Sequence, residues 1–176
     1  MTALSQVHVL VADNNERMRL LVRCLLRAGG LTKISEAGTA ADAFEIMQRR
    51  RVDLVIVEWT MHPVDGIAFT RMLRRGNSSP NPYVPILMLT SHAEASRIAA
   101  ARDAGVTGVI KKPLSTRLLF DRVAGALNDA RPFIHSADFF GPDRRRGTPA
   151  DYAGPFRRAT DPEAMQTIDL DDLRVA

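Results

Sequence analysis

Apolar positions along this chain follow two rhythms. Val7-His8-Val9-Leu10-Val11-Ala12 runs with almost no alternation, and Val52–Val57 reads the same way apart from Asp53, an edge or turn carboxylate near its start. Val84–Leu89 is another strong strand, and Val106–Ile110 is a further strand. Strands buried on both faces, as in a parallel sheet, have this pattern. Lys33–Ala37 is a weaker fifth strand. Between the strands the spacing turns helical. Met18, Leu21, Val22, Leu25 and Leu26 share one face of a helix from Glu16 to Ala28, and Gly29-Gly30 supplies its stop. Thr39 caps a helix through Gln48 with Ala43, Phe44 and Met47 inward; Asp65-Gly66 opens another through about Leu73. After the polar loop 76–82 come a helix from Glu94 to Ala104, stopped at Gly105, and one capped by Ser115 that reaches about Asn128. Five strand-then-helix repeats predict an α/β fold, a doubly wound five-stranded parallel sheet with helices on both faces.

The rhythm stops after Arg131-Pro132. Gly141-Pro142, Gly147, Pro149, Gly154-Pro155 and Pro162 interrupt every periodic pattern, so the expected organisation is one domain over residues 6–130 and an irregular Gly/Pro/Arg-rich tail over 131–176. Four of the seven phenylalanines nevertheless lie in the tail: Phe133, Phe139, Phe140 and Phe156. The tail also contains a repeat. Asp138-Phe139-Phe140-Gly141-Pro142-Asp143-Arg144-Arg145 recurs thirteen residues later as Asp151-Tyr152-Ala153-Gly154-Pro155-Phe156-Arg157-Arg158. Each copy offers an aromatic anchor, a Gly-Pro turn and paired guanidiniums, a combination suited to an interface. The expectation is that residues 133–158 dock on a folded surface, a partner's or that of a second copy of this chain.

Composition narrows the setting. A length of 176 residues with 45% hydrophobic content supports one full-sized core. No apolar stretch approaches the roughly 20 residues of a membrane span, and the amino terminus has no basic region followed by an apolar run. The lone Cys24 sits among apolar residues at helical spacing and is expected to be a small buried hydrophobe in a reducing cytoplasm. Residues 1–130 hold 17 basic against 12 acidic side chains, and residues 131–176 hold 7 against 8, giving +5 and −1. A tail of net −1 argues against nucleic-acid binding by Arg144-Arg145-Arg146 and Arg157-Arg158.

The candidate chemistry lies where the strands end. The first runs into Asp13-Asn14, the third into Glu58-Trp59, the fourth into Thr90 and the fifth into Lys111-Lys112-Pro113. A parallel sheet brings all of these to its carboxyl edge, where open α/β sheets bind ligands. His8, His62, His92 and His135 have no metal-ligand spacing, and Ser91-His92 are sequence neighbours that seldom form a nucleophile–base pair, so an enzyme is not expected.

Asp13-Asn14, Glu58-Trp59-Thr60-Met61 followed by Asp65-Gly66, Thr90-Ser91 and Lys112-Pro113, in this order and spacing, resemble the receiver domain of two-component response regulators over about residues 6–128. The resemblance implies a strand order of 2-1-3-4-5 and a cis bond before Pro113. It also implies a divalent cation held by carboxylates at the ends of the first and third strands and by the backbone carbonyl of Thr60. Thr90 and Lys112 would contact the phosphoryl oxygens, leaving catalysis to positioning and electrostatics.

Three positions depart from the family pattern. Asn14 replaces a carboxylate that usually touches the metal, which predicts Mg²⁺ binding that is weak at best. Glu58 replaces the phosphate-accepting aspartate, and its extra methylene shifts the carboxylate by ~1.5 Å. A ~1 Å misplacement can cost in-line attack roughly a hundredfold. Valine at position 109 replaces a frequent aromatic switch residue. Two consequences stand open. Glu58 either mimics a phosphorylated aspartate by reaching Lys112 and Thr90, or it leaves an inert pocket whose Glu58–Lys112 pair only offsets buried charge.

The function expected from these residues is that of a stand-alone receiver-like protein, cytoplasmic, acting through protein contacts in a phosphorelay without phosphorylation. Its expected partners are a histidine kinase, a phosphotransferase or a downstream target, with a homodimer as a further form of contact. The alternative is a relay component that accepts phosphate.

Overall fold

The computed structural model describes residues 4–75, 79–136, 138–144 and 166–168. Its central sheet has five parallel strands in the order β2-β1-β3-β4-β5: β1 His8–Ala12, β2 Lys33–Ala37, β3 Leu54–Glu58, β4 Ile86–Thr90 and β5 Gly108–Lys111. The expected order and parallel sense are both present. The crossovers are α1 Glu16–Ala28, α2 Ala40–Arg49, α3 Gly66–Arg75 and α4 Ala95–Asp103, and α5 Thr116–Leu127 follows the last strand. Caps set the starts of three of them. Asn15 accepts from the amides of Arg17 and Met18, Thr39 from that of Asp42, and Ser115 from that of Leu118.

Because side chains alternate along a strand, the unbroken apolar runs feed two cores at once. Leu10, Val55, Val57, Ile86 and Met88 face α2, α3 and α4, meeting Ala43, Met47, Phe69, Leu73 and Ala101. Val9, Val11, Leu54, Ile56, Leu87, Leu89 and Ile110 face α1 and α5, meeting Val22, Leu26, Leu119 and Val123. Among the described residues no helix is long and apolar enough to cross a membrane.

Two expectations on α1 need correcting. Cys24 is exposed, and Leu21 is 43% exposed. The helix docks through Val22 and Leu26, one turn apart. Cys24 lies two residues from each, about 200° round the helix at 3.6 residues per turn, and so points away from the sheet.

The beginning of the tail is also more ordered than its composition suggested. Phe133–His135 (β6) and Phe140–Pro142 (β7) form an antiparallel hairpin, and the backbone of Gln166–Ile168 (β8) pairs with the other edge of β6. Phe133 and Phe139 are buried on the protein's own domain, at the end of the sheet where β4 and β5 begin. The remainder of the repeat, from Arg145 through Tyr152, Gly154, Pro155, Arg157 and Arg158, lies outside the described residues.

Candidate functional site

β1, β3, β4 and β5 deliver Asp13, Glu58, Thr90 and Lys112 to the carboxyl edge of the sheet. Asp13 and Glu58 are buried, at 3% and 7% exposure, and Thr90 is closed off as well. Lys112 follows β5 and is joined to Pro113 by a cis bond; the His62-Pro63 bond is also cis, which the sequence did not suggest. The Lys112 ammonium stands 2.5 Å from Glu58 Oε2 and 3.9 Å from Asp13 Oδ2. It therefore serves both carboxylates. Each carboxylate uses its other oxygen locally: Asp13 Oδ1 accepts from the Asn15 amide at 2.8 Å, and Glu58 Oε1 accepts from the Thr60 amide at 3.3 Å. Glu58 Oε2 and Asp13 Oδ2 are buried with no hydrogen bond of good geometry, so Lys112 holds them by charge rather than by aligned donors.

Thr90 does not join this group. Its hydroxyl donates to the His92 carbonyl at 2.8 Å and accepts from the His92 amide at 3.0 Å, which folds it into its own loop. Of the two contacts a phosphorylated-aspartate mimic would need, the structure has the one to Lys112; Thr90 is turned to His92.

Asn14 has a different occupation from the carboxylate it replaces. Its amide nitrogen donates to the carbonyls of Gly38 at 2.6 Å and His62 at 3.1 Å, and its oxygen accepts from the His62 amide at 2.6 Å. This side chain pins together the loops that follow β1, β2 and β3. An aspartate could supply neither donation. The β3–α3 connection is tight in another way, because a β-carbon on Gly66 would meet the Glu58 carbonyl oxygen at 2.4 Å. Trp59, next to Glu58, lies under the Arg97 guanidinium of α4, 5.2 Å from the ring centroid. Val109 packs partly buried against the core.

The donor set suits a hard cation poorly. Asp13 Oδ2 and Glu58 Oε2 are two anionic oxygens without hydrogen bonds, but the ammonium already sits at both. The Asn14 oxygen is spent on His62. Among the described residues no group of three or more His, Cys, Asp or Glu side chains could hold a metal ion. Mg²⁺ favours near-octahedral oxygen coordination and would have to compete with Lys112 for its ligands.

A second set of residues, which the sequence did not single out, receives the hairpin at the opposite end of the sheet. Arg74, on the last turn of α3, is buried and donates to the carbonyls of Gly105 at 3.1 Å, Pro82 at 2.5 Å and Val84 at 2.9 Å. Burial pushes its guanidinium down to about 9, which leaves it charged at neutral pH. The Phe133 ring covers it at 5.1 Å. Tyr83, Phe133 and Phe140 form an aromatic cluster with centroids 5.1–5.6 Å apart. Arg75 donates to the Asp138 carbonyl. Arg131 donates to the Thr107 carbonyl at 2.8 Å and pairs with Asp129, whose hydrogen bond raises the guanidinium further. The available signal was periodicity: Gly66, Thr70 and Arg74 recur every four residues on the buried face of α3.

A 2-1-3-4-5 parallel sheet with an acid, a hydroxyl and a lysine gathered at its carboxyl edge defines a receiver-type signalling module. The model of the response regulator receiver domain matches residues 9–124, and the chain belongs to that family. It is 29% identical over 115 residues to the chemotaxis protein CheY of Pseudomonas aeruginosa, spanning 65% of this chain and 91% of the relative. It is 30% identical to CheY-3 of Vibrio cholerae, spanning 65% and 87%. Among solved structures, CheY4 of Vibrio cholerae superposes with a TM-score of 0.63 at 25% identity, covering 68% of this chain and 98% of that one. The receiver domain of the Pseudomonas aeruginosa sensor kinase PA1611, solved with magnesium in its cleft, shares the fold at 20% identity, with a TM-score of 0.62 over 70% of this chain and 98% of that one. The chain is thus a receiver of two-component signalling, and its sheet has the order expected from the resemblance.

Proposed function

We propose that this receiver signals through protein–protein contacts without phosphotransfer to Glu58. The observation that carries this reading is the Glu58–Lys112 contact of 2.5 Å, which occupies the lysine that would otherwise steady an incoming phosphoryl group. The extra methylene of Glu58 supports it further, because it displaces the attacking oxygen from an in-line path. Lys112 in this role is an internal counter-cation. Mg²⁺, if bound, would be held weakly by Asp13, Glu58 and the Thr60 carbonyl, and would supply charge neutralisation that Lys112 already provides. The partners that fit the family are a histidine kinase, a phosphotransferase or a downstream target, met by the receiver surface in the cytoplasm.

Incubation of the purified chain with acetyl phosphate and Mg²⁺, followed by intact mass measurement, tests the proposal. No phosphoryl adduct is expected on the wild type, a trace on Glu58→Asp, and more on Glu58→Asp combined with Asn14→Asp. Prompt labelling of the wild type at Glu58 would establish the alternative, a phosphate-accepting relay component.

A further inference from the structure

The five-stranded sheet ends at β2, whose outer edge has no partner strand among the described residues. The backbone groups on that edge follow from the ladder to β1. The Asp13 amide donates to the Ala37 carbonyl at 3.1 Å, so Ala37 faces β1, and alternation along the strand turns the amides and carbonyls of Ile34 and Glu36 outward. An edge of this kind is a template for another strand unless proline, a bulge or projecting charge blunts it. β2 is regular and contains no proline, and its Glu36 carboxylate is drawn back to Arg19 and Arg23 of α1.

The neighbouring helix adds a pattern of charge. Asp42, Glu45, Ile46 and Arg49 of α2, at spacings of three and four, form one stripe that borders a cleft shared with Ser35 of β2. The stripe is acidic at its start, apolar at its middle and basic at its end. Asp42 has no ion pair among the described residues, and the exposed Glu45–Arg49 pair at 2.7 Å is weak enough to exchange partners. Turned end for end, the stripe complements itself: Asp42 meets Arg49 of a second copy, Ile46 meets Ile46, and the opposed helix dipoles attract.

We propose that a second copy of this chain docks here, joining two sheets edge to edge through β2 and α2 in a closed two-fold dimer. A two-fold axis at Ser35 runs the two β2 strands antiparallel and sets Ile34 of one against Glu36 of the other, each pair exchanging its outward amide and carbonyl. Ser35 and Ile46 border the same cleft, so that axis also serves the helices. Neighbouring strands lie ~4.8 Å apart and packed helices ~8–10 Å apart, so pairing the edges brings the two α2 stripes alongside each other. The dimer surface uses none of Asp13, Glu58, Thr90 or Lys112, and it is independent of whether Glu58 accepts phosphate.

Analytical ultracentrifugation of the full chain tests this with wild type, Asp42→Lys, Arg49→Glu and an equimolar mixture of the two variants. The wild type should dimerise. Each single reversal turns both symmetric contacts into like-charge pairs and should raise the dimer dissociation constant by about tenfold or more. In the mixture one variant supplies cations at both contacts and the other supplies anions, so a heterodimer of near wild-type affinity should form. That rescue excludes misfolding as the cause of the single losses. Hydrogen exchange by NMR should show the Ile34 and Glu36 amides of the wild type slowing as protein concentration rises, with the Ser35 amide slow throughout. The proposal is overturned by a wild type that stays monomeric at NMR concentrations, or by Ile34 and Glu36 amides that are equally slow at every concentration, which would assign the edge to another segment of the same chain. It is equally overturned if both single reversals leave the dimer intact, as they would for a dimer formed through the tail, or if the mixed variants stay apart.

Discussion

The two ends of the sheet handle buried charge in opposite ways. At the carboxyl edge, two buried carboxylates share one lysine, with a buried oxygen on each left short of hydrogen bonds. At the other end, Arg74 is just as buried but gives its donors to three backbone carbonyls and has an aromatic ring on its face. The first arrangement is held by charge and stays adjustable, because moving Lys112 or adding a cation changes its balance. The second is satisfied by directed hydrogen bonds and works as a fixed joint between α3, the loop before β4, the turn before β5 and the tail. One fold thus keeps its inherited chemistry responsive at one edge and anchors an added segment at the other.

The sharpest way to break this contrast is at the joint. Arg74→Ala strips three carbonyls of their buried donor and removes the cation under Phe133, so it should cost about 2–4 kcal/mol of stability. Urea unfolding followed by Trp59 fluorescence would measure the loss, and exchange at residues 133–144 should rise with it. A cost under about 1 kcal/mol would mean that the arginine is no joint.

At the carboxyl edge the expected losses are smaller and depend on the partner. Lys112→Met leaves two buried carboxylates without a cation and should cost roughly 2–3 kcal/mol, whereas Lys112→Met with Glu58→Gln should recover much of that. Equal costs for the single and double variants would show that the pair is uncoupled.

The smallest effect is expected at the loop staple. Asn14→Asp removes the donations to Gly38 and His62 and faces two carbonyl oxygens with a carboxylate, at a cost of about 1–2 kcal/mol in the presence of EDTA. Mg²⁺ should return part of it by neutralising the new charge. Thermal melts with and without the metal would decide, and an unchanged melting temperature in EDTA would dismiss the staple.

Much of the fold was legible because strand and helix periods are local properties. The runs at 7–12, 52–57 and 84–89 predicted buried parallel strands, and the residues ending them, Asp13, Glu58 and Thr90, came to one edge with Lys112, which follows the run at 106–110, as topology requires. The tail was harder to read. Its strands are only three residues long, β7 contains Gly-Pro, and they exist because Tyr83, Arg74 and Gly105, distant in sequence, give them a surface.

The sequence by itself determined the order of elements, the family and the chemical types at the site, since each depends on residue identity and spacing. Only the tertiary structure decided how those groups are spent. It turned Thr90 to His92, committed Asn14 to two loops, set Lys112 between Asp13 and Glu58, exposed Cys24 and buried Arg74. A side chain's partner depends on which loops and helix faces arrive beside it, and that is settled by packing across long sequence separations rather than by any local pattern.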